Sequence, residues 1–151
     1  MCIRDRPYTI AKQGGFTPKV FVLSDEGYPG YADLVLVPDA LIASNPAAVQ
    51  AFVDATAAGW KAYLHGDPKP ADAMILKDNP EMTQDVLDQA REKMRQYEIV
   101  DGKGSPPVGA PPIGNMTDAR WQALADIMGK AGVLKPGTDV KTAYTLQFAP
   151  K

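Results

Sequence analysis

Both strand-like segments of this chain lie in its first forty positions. Lys19–Leu23 (KVFVL) and Asp33–Val37 (DLVLV) are short, branched and apolar, and they read as strands. The second has almost no polar alternation, a pattern of burial on both faces in an α/β sheet. After Asp39 the chain reads as helix and turn. Four amphipathic helices thus have two strands to cover, whereas a stable sheet needs three or more strands or a helix layer of matching area. The expectation is a helix-rich α/β chain, part of whose sheet is contributed by residues outside these 151.

The helices are marked by their ends and stripes. Ser44 or Asn45 can cap a helix that opens on Pro46. Val49, Phe52, Val53, Thr56, Trp60, Tyr63 and Leu64 form its apolar face. Gly59 inside it costs about 1 kcal/mol, which predicts a close neighbouring backbone or ring. Gly66 and Pro68 stop this helix, and Lys69–Leu76 reads as a short one. Thr83 is the expected cap of the next, whose stripe is Val86, Leu87, Ala90, Met94 and Tyr97. Its acids, Asp85 and Asp88, come early and Arg91, Lys93 and Arg95 late, as the helix dipole favours. A glycine-proline stretch, Asp101–Asn115, is expected to cross the surface as a packed loop, a functional lid being the alternative. Thr117 caps the last long helix, Trp121, Leu124, Ala125 and Met128 line it, and Gly132 ends it in a left-handed conformation. Asp139 caps a last short turn ending near Tyr144, and Phe148 anchors the tail.

Composition narrows the function classes. Sixteen basic and 18 acidic residues give a net charge of −2, without the basic excess of a nucleic-acid surface. Leu, Ile, Val and Phe number 32 and Ala 21, a modest core. Cys2 is the single cysteine, so no internal disulfide and no cysteine metal cluster can form. No apolar run reaches the roughly 18–20 residues of a membrane span, and the first residues lack a signal-peptide core. Residues 1–6 are a mixed polar hexamer running into Pro7. They read as a non-native or truncated leader, or as a frayed native terminus.

Few residues carry a chemical motif. His65 is the single histidine and stands at a helix end, which excludes a His-based metal site. The stretch GKGSPP lacks phosphate-loop spacing and opens no helix. Ser24, Ser44 and Ser105 each lack a triad. No catalytic residue, metal ligand or cofactor is assigned. Asp25 and Glu26 follow a strand at its C-terminal end, where open α/β sheets place ligand groups. They are candidate ligand-binding residues for a cationic or hydrogen-bond-donating solute; a solvated turn fits them too. Tyr28 and Tyr31 flank the same turn, and either wall a small-molecule cleft or pad the strand connection. Trp60 and Trp121 read as core anchors, and Asp118 and Arg120 as charges decorating a helix end.

The order of elements resembles a known family. The segment DLVLVPDALIASNPAAVQAFVDATAAGWKAYLHGDP, with Asn45-Pro46 and Gly59-Trp60, is similar to the NMT1/THI5-like group of periplasmic substrate-binding proteins of ABC importers. IGNMTDARWQALADIMGKAGVL, with Arg120-Trp121 and Gly132-Val133-Leu134, resembles the group's closing helix. DRPYTIAKQGG resembles a segment written Asn-Glu-Pro in many members, with Pro7 matching and Arg6 departing. The resemblance runs from Pro7 to Phe148. It implies the C-terminal part of a two-lobed type II periplasmic-binding-protein fold. Residues 7–32 would belong to the second lobe and the interlobe crossing, and residues 33–151 to the first lobe and closing helices. The implied function is capture of a small organic molecule, such as a thiamine-pyrimidine precursor or related heterocycle, by a protein monomeric at full length. The protein would work in the periplasm or otherwise outside the cytoplasm and deliver its solute to a membrane permease, with no bond broken. A sulfonate- or nitrate-type binding protein and a pyrimidine-precursor biosynthetic enzyme of the THI5 type are the alternatives.

Overall fold

The computed structural model describes residues 6–100 and 113–150. The expected leader lies mostly outside these residues, as do GKGSPP and most of the glycine-proline stretch. Six α-helices are present: α1 Arg6–Gly14, α2 Asp39–Ser44, α3 Pro46–His65, α4 Lys69–Asp78, α5 Gln84–Gln96 and α6 Asp118–Lys130. A 3₁₀ turn follows at Val140–Ala143. Helices α3, α5 and α6 fall where their stripes place them and α4 where a short helix is expected; α1 and α2 are not expected from the sequence.

The ends follow local chemistry. The Asn45 side chain accepts from the Ala48 N–H at 3.1 Å at the start of α3, and Thr117 accepts from Arg120 N–H at 3.2 Å at the start of α6. Asp139 accepts from Lys141 N–H at 3.0 Å and opens the 3₁₀ turn. At the end of α6, Val133 N–H bonds to Met128 O and Gly132 N–H to Gly129 O, with Gly132 at φ 71°. This double closure needs a residue in the left-handed region, which glycine enters without a Cβ penalty. Thr83 departs from expectation: its side chain makes no cap bond to α5 and is engaged by Asp85 instead.

Helices α1 and α4 pack against α5, α2 against α3, and the 3₁₀ turn against α6. Val49, Leu64, Leu87, Ala90, Met94, Trp121 and Phe148 are buried. Asp72 in the first turn of α4 ties three helices together. It accepts from Tyr63 Oη of α3 at 2.9 Å and from Gln84 Nε2 of α5 at 2.9 Å, and pairs with Arg91 of α5. Arg95 of α5 donates to the Leu64 carbonyl at 3.3 Å, capping the end of α3. Helix α1 is held from outside: Tyr8 Oη and Lys12 Nζ both donate to Asp85 Oδ2, at 2.9 and 2.6 Å. The Lys12 hydrogen bond, with those of Thr83 and Tyr8, holds the Asp85 carboxyl below the usual carboxylate range.

Three expectations of packing fail. Phe52 is 61 % exposed, because the described chain brings nothing against that side of α3. Tyr97 at the end of α5 is exposed as well. A Cβ built on Gly59 meets nothing within 4 Å, so no neighbour needs that glycine.

The larger correction concerns the strands. Among the described residues there is none: 19–23 and 33–37 carry no strand pairing. Val20, Phe21, Leu23, Leu34, Val35 and Leu36 are all exposed, Leu36 at 95 %. The physical reason is a lack of partners. Strand N–H and C=O groups are satisfied by a neighbouring strand, and a parallel pair needs a crossover of roughly a dozen residues or more. Residues 24–32 are too few to make one. A lone antiparallel pair would itself be marginal.

Candidate functional site

The turn that carries the four candidate residues is built by its own backbone. Tyr28 N–H bonds to Leu23 O at 3.0 Å and Gly27 N–H to Ser24 O at 3.1 Å. Asp25 N–H bonds to Val22 O at 2.9 Å and Glu26 N–H to Leu23 O at 3.2 Å. These bonds wind one helical turn and close it as α6 is closed, with Gly27 at φ 84° in the position that requires glycine. Asp25 and Glu26 stand at the exposed tip. Their carboxylates have no hydrogen bond or ion pair among the described residues.

The two tyrosines are placed differently. The Tyr28 ring lies where a Cβ on Gly30 would stand, so the ring packs closely on the Gly30 backbone. That ring is also exposed. Tyr31 points to the start of α6, where its Oη accepts from Thr117 N–H at 3.0 Å. Its ring centre is 5.5 Å from that of Trp121, and the Arg120 guanidinium lies 4.4 Å from it in a cation–π contact. Arg120 also donates from Nε to Pro29 O at 2.7 Å and from Nη2 to Gly30 O at 3.0 Å.

Arg120 was expected to decorate a helix end; it binds the turn to α6. Side-chain pattern gave no sign of this, because its partners are backbone carbonyls 90 and 91 positions away. Trp121 is buried as expected and stacks on Tyr144, with ring centres 4.8 Å apart and planes 3° from parallel. Tyr144 Oη donates to Asp118, and that bond pushes the phenol up to about 12. The Trp121 Nε1–H is buried without an acceptor among the described residues. The site is thus an acidic, tyrosine-bearing tip whose base is clamped by an aromatic and guanidinium cluster on α6. The tip offers acceptor oxygens and an aromatic face, which suits a donor-bearing, flat solute.

Other candidate chemistry is sparse. An open depression of about 400 Å³ lies between α6 and the segment Leu134–Thr138, with Gln122, Asp126, Lys130 and Lys135 on its rim. It shares no residue with the turn. His65 ends α3, as its helix-terminal position predicts. No group of three or more His, Cys, Asp or Glu among the described residues has metal-binding geometry. No helix among them is long and apolar enough to cross a membrane.

Residues 3–71 match the family model described as NMT1/THI5 like, so this segment of the chain is similar to that family. The match is just under half of the 151 residues. It contains Asp25, Glu26, Tyr28 and Tyr31 and the helices α1 to α3, and it stops before α5 and α6. No curated protein and no solved structure matches the chain.

Proposed function

We propose that this chain is part of the solute-binding component of an ABC-type importer, and that it captures a small organic molecule between two lobes. The observation that carries the reading is the NMT1/THI5-like match over the segment that holds the acidic tip and its tyrosines. That family consists mostly of binding proteins, typically extracytoplasmic. The bare apolar segments 19–23 and 33–37 support the same reading, since in a longer protein they would join strands supplied by another part of the chain. Residues 7–32 would then belong to the second lobe and interlobe crossing, and 33–151 to the first lobe and closing helices. Asp25, Glu26 and Tyr28 would face the solute, with Tyr31 behind them. The protein would be monomeric and would hand its solute to a membrane permease.

A neutral or basic heterocycle, such as a thiamine-pyrimidine precursor, fits acceptor carboxylates beside a phenol ring better than an anion does. The test is a thermal-shift screen of the full-length protein. Its ligands are 4-amino-5-hydroxymethyl-2-methylpyrimidine, riboflavin, taurine and nitrate, each at saturating concentration. The pyrimidine is expected to raise the midpoint by linkage. A shift with nitrate or taurine alone rejects the heterocycle, and turnover of the pyrimidine precursor's source compounds rejects a purely binding role.

A further inference from the structure

We infer that Arg120 is a positioning residue for solute capture, holding the Ser24–Tyr31 turn in the shape that presents Asp25, Glu26 and Tyr28. The inference rests on the solute-binding reading above. The tip of the turn is closed by its own backbone bonds. Its leading end bonds to the adjacent Val22 and Leu23 carbonyls, and among the described residues its long-range hydrogen bonds run from its trailing end to the start of α6. Arg120 bridges two consecutive carbonyls, Pro29 O and Gly30 O, and lies over the Tyr31 ring. Tyr31 Oη is held by Thr117 N–H, and Thr117 Oγ1 by Arg120 N–H, so residue and turn share one cap. The Tyr28 ring in turn lies directly against the Gly30 backbone.

Arg120 therefore acts on the tip through backbone, without touching solute itself. The planar fork is what the geometry uses. A lysine ammonium keeps the charge but cannot donate to both carbonyls while lying flat on a ring. Order installed before binding removes an entropic cost from binding, so its loss appears in affinity.

The experiment compares full-length wild type, Arg120→Lys, Tyr31→Phe and a control, Lys130→Gln, at the far end of α6. Three quantities are read: affinity for the pyrimidine, or for whichever of riboflavin, taurine and nitrate the wild type binds; amide exchange over 24–31; and the urea midpoint. Arg120→Lys is expected to weaken binding about tenfold, equivalent to about 1.4 kcal/mol. Exchange at 25–28 should quicken while the urea midpoint stays with that of the control. Tyr31→Phe, which keeps the ring and loses the acceptor, should move affinity and exchange the same way by less, and it carries the test should Arg120→Lys fold poorly. Unchanged affinity overturns the inference. So does weakened binding with unchanged exchange in the turn, which would mean direct contact, or weakening that tracks loss of global stability. A wild type that binds none of the four rejects solute capture itself, and the inference with it.

Discussion

Arg91 on α5 and Asp72 on α4 form a buried ion pair, with Arg91 Nη1 3.1 Å from Asp72 Oδ2 and 3.3 Å from Oδ1. Asp72 is 3 % exposed and Arg91 9 %. The guanidinium also lies 5.4 Å from the Tyr63 ring centre and donates to Asp88. With seven buried apolar side chains among the described residues, this polar hub takes a large share in joining α3, α4 and α5. Removing one partner strands a buried charge, which costs about 3–5 kcal/mol, whereas replacing the pair by apolar residues of similar volume is often neutral. Asp72→Ala is accordingly expected to lower unfolding stability by that amount. Asp72→Leu with Arg91→Met should recover most of the loss, as read by urea denaturation.

The same hub makes stability depend on acid. Burial alone pushes the Asp72 carboxyl up. Hydrogen bonds from Gln84 and Tyr63 and the Arg91 charge outweigh it and hold the group below its ordinary value of 3.8. A carboxylate depressed in the folded state contributes stability that is present above its unfolded value and lost as pH falls through the folded one. The urea midpoint should therefore be insensitive to Asp72 above about pH 4. Below that it should fall. In Asp72→Asn, which is neutral at every pH, the fall should be shallower; equal slopes would remove Asp72 as the acid-sensitive group.

Helix ends were legible because each depends on residues within one turn. Asn45, Thr117 and Gly132 need only their near neighbours to act as caps. The stripe residues Leu87, Ala90 and Met94 were legible for a similar reason, since period alone places them on one face. The Asp72–Arg91 pair was not, because its members stand 19 positions apart and a charge late in a helix already has a dipole explanation. Arg120 escaped notice because a carbonyl has no side-chain signature. Asp25 and Glu26 were singled out by their place after an expected strand that the structure lacks, and Tyr28 and Tyr31 by flanking the same turn; how the four are arranged was not legible. Tyr31 belongs to the clamp and Asp25 to the tip, a division set by α6, which is distant in sequence.

Gly59 offers a direct gain. It sits inside α3 with open space where its Cβ would stand. Glycine in an exposed helix interior is about 0.8–1.0 kcal/mol less favourable than alanine. Gly59→Ala should raise the stability of the 151-residue chain by roughly that amount in urea denaturation. If the longer protein lays another backbone against α3 at this point, the same substitution should destabilise it there, and the sign separates the two environments.

The exposed apolar segments give the sharpest comparison. Leu36 is 95 % exposed, so replacing it removes almost no burial within the described chain. Leu36→Lys should leave the stability of the 151-residue chain within about 0.5 kcal/mol of wild type. An uncovered run such as DLVLV, with unpaired backbone groups and one charge, is a template for pairing with other chains. Lysine within it blunts that template, so the substitution should reduce self-association measured by sedimentation velocity. In a longer, two-lobed protein of the kind proposed, the expectation reverses. Where partner strands cover residues 33–37, Leu36 becomes a core side chain, and a buried unpaired lysine there should cost several kcal/mol. An equally mild effect in both chains would mean that no strand covers this segment, and the two-lobed reading would lose its structural support.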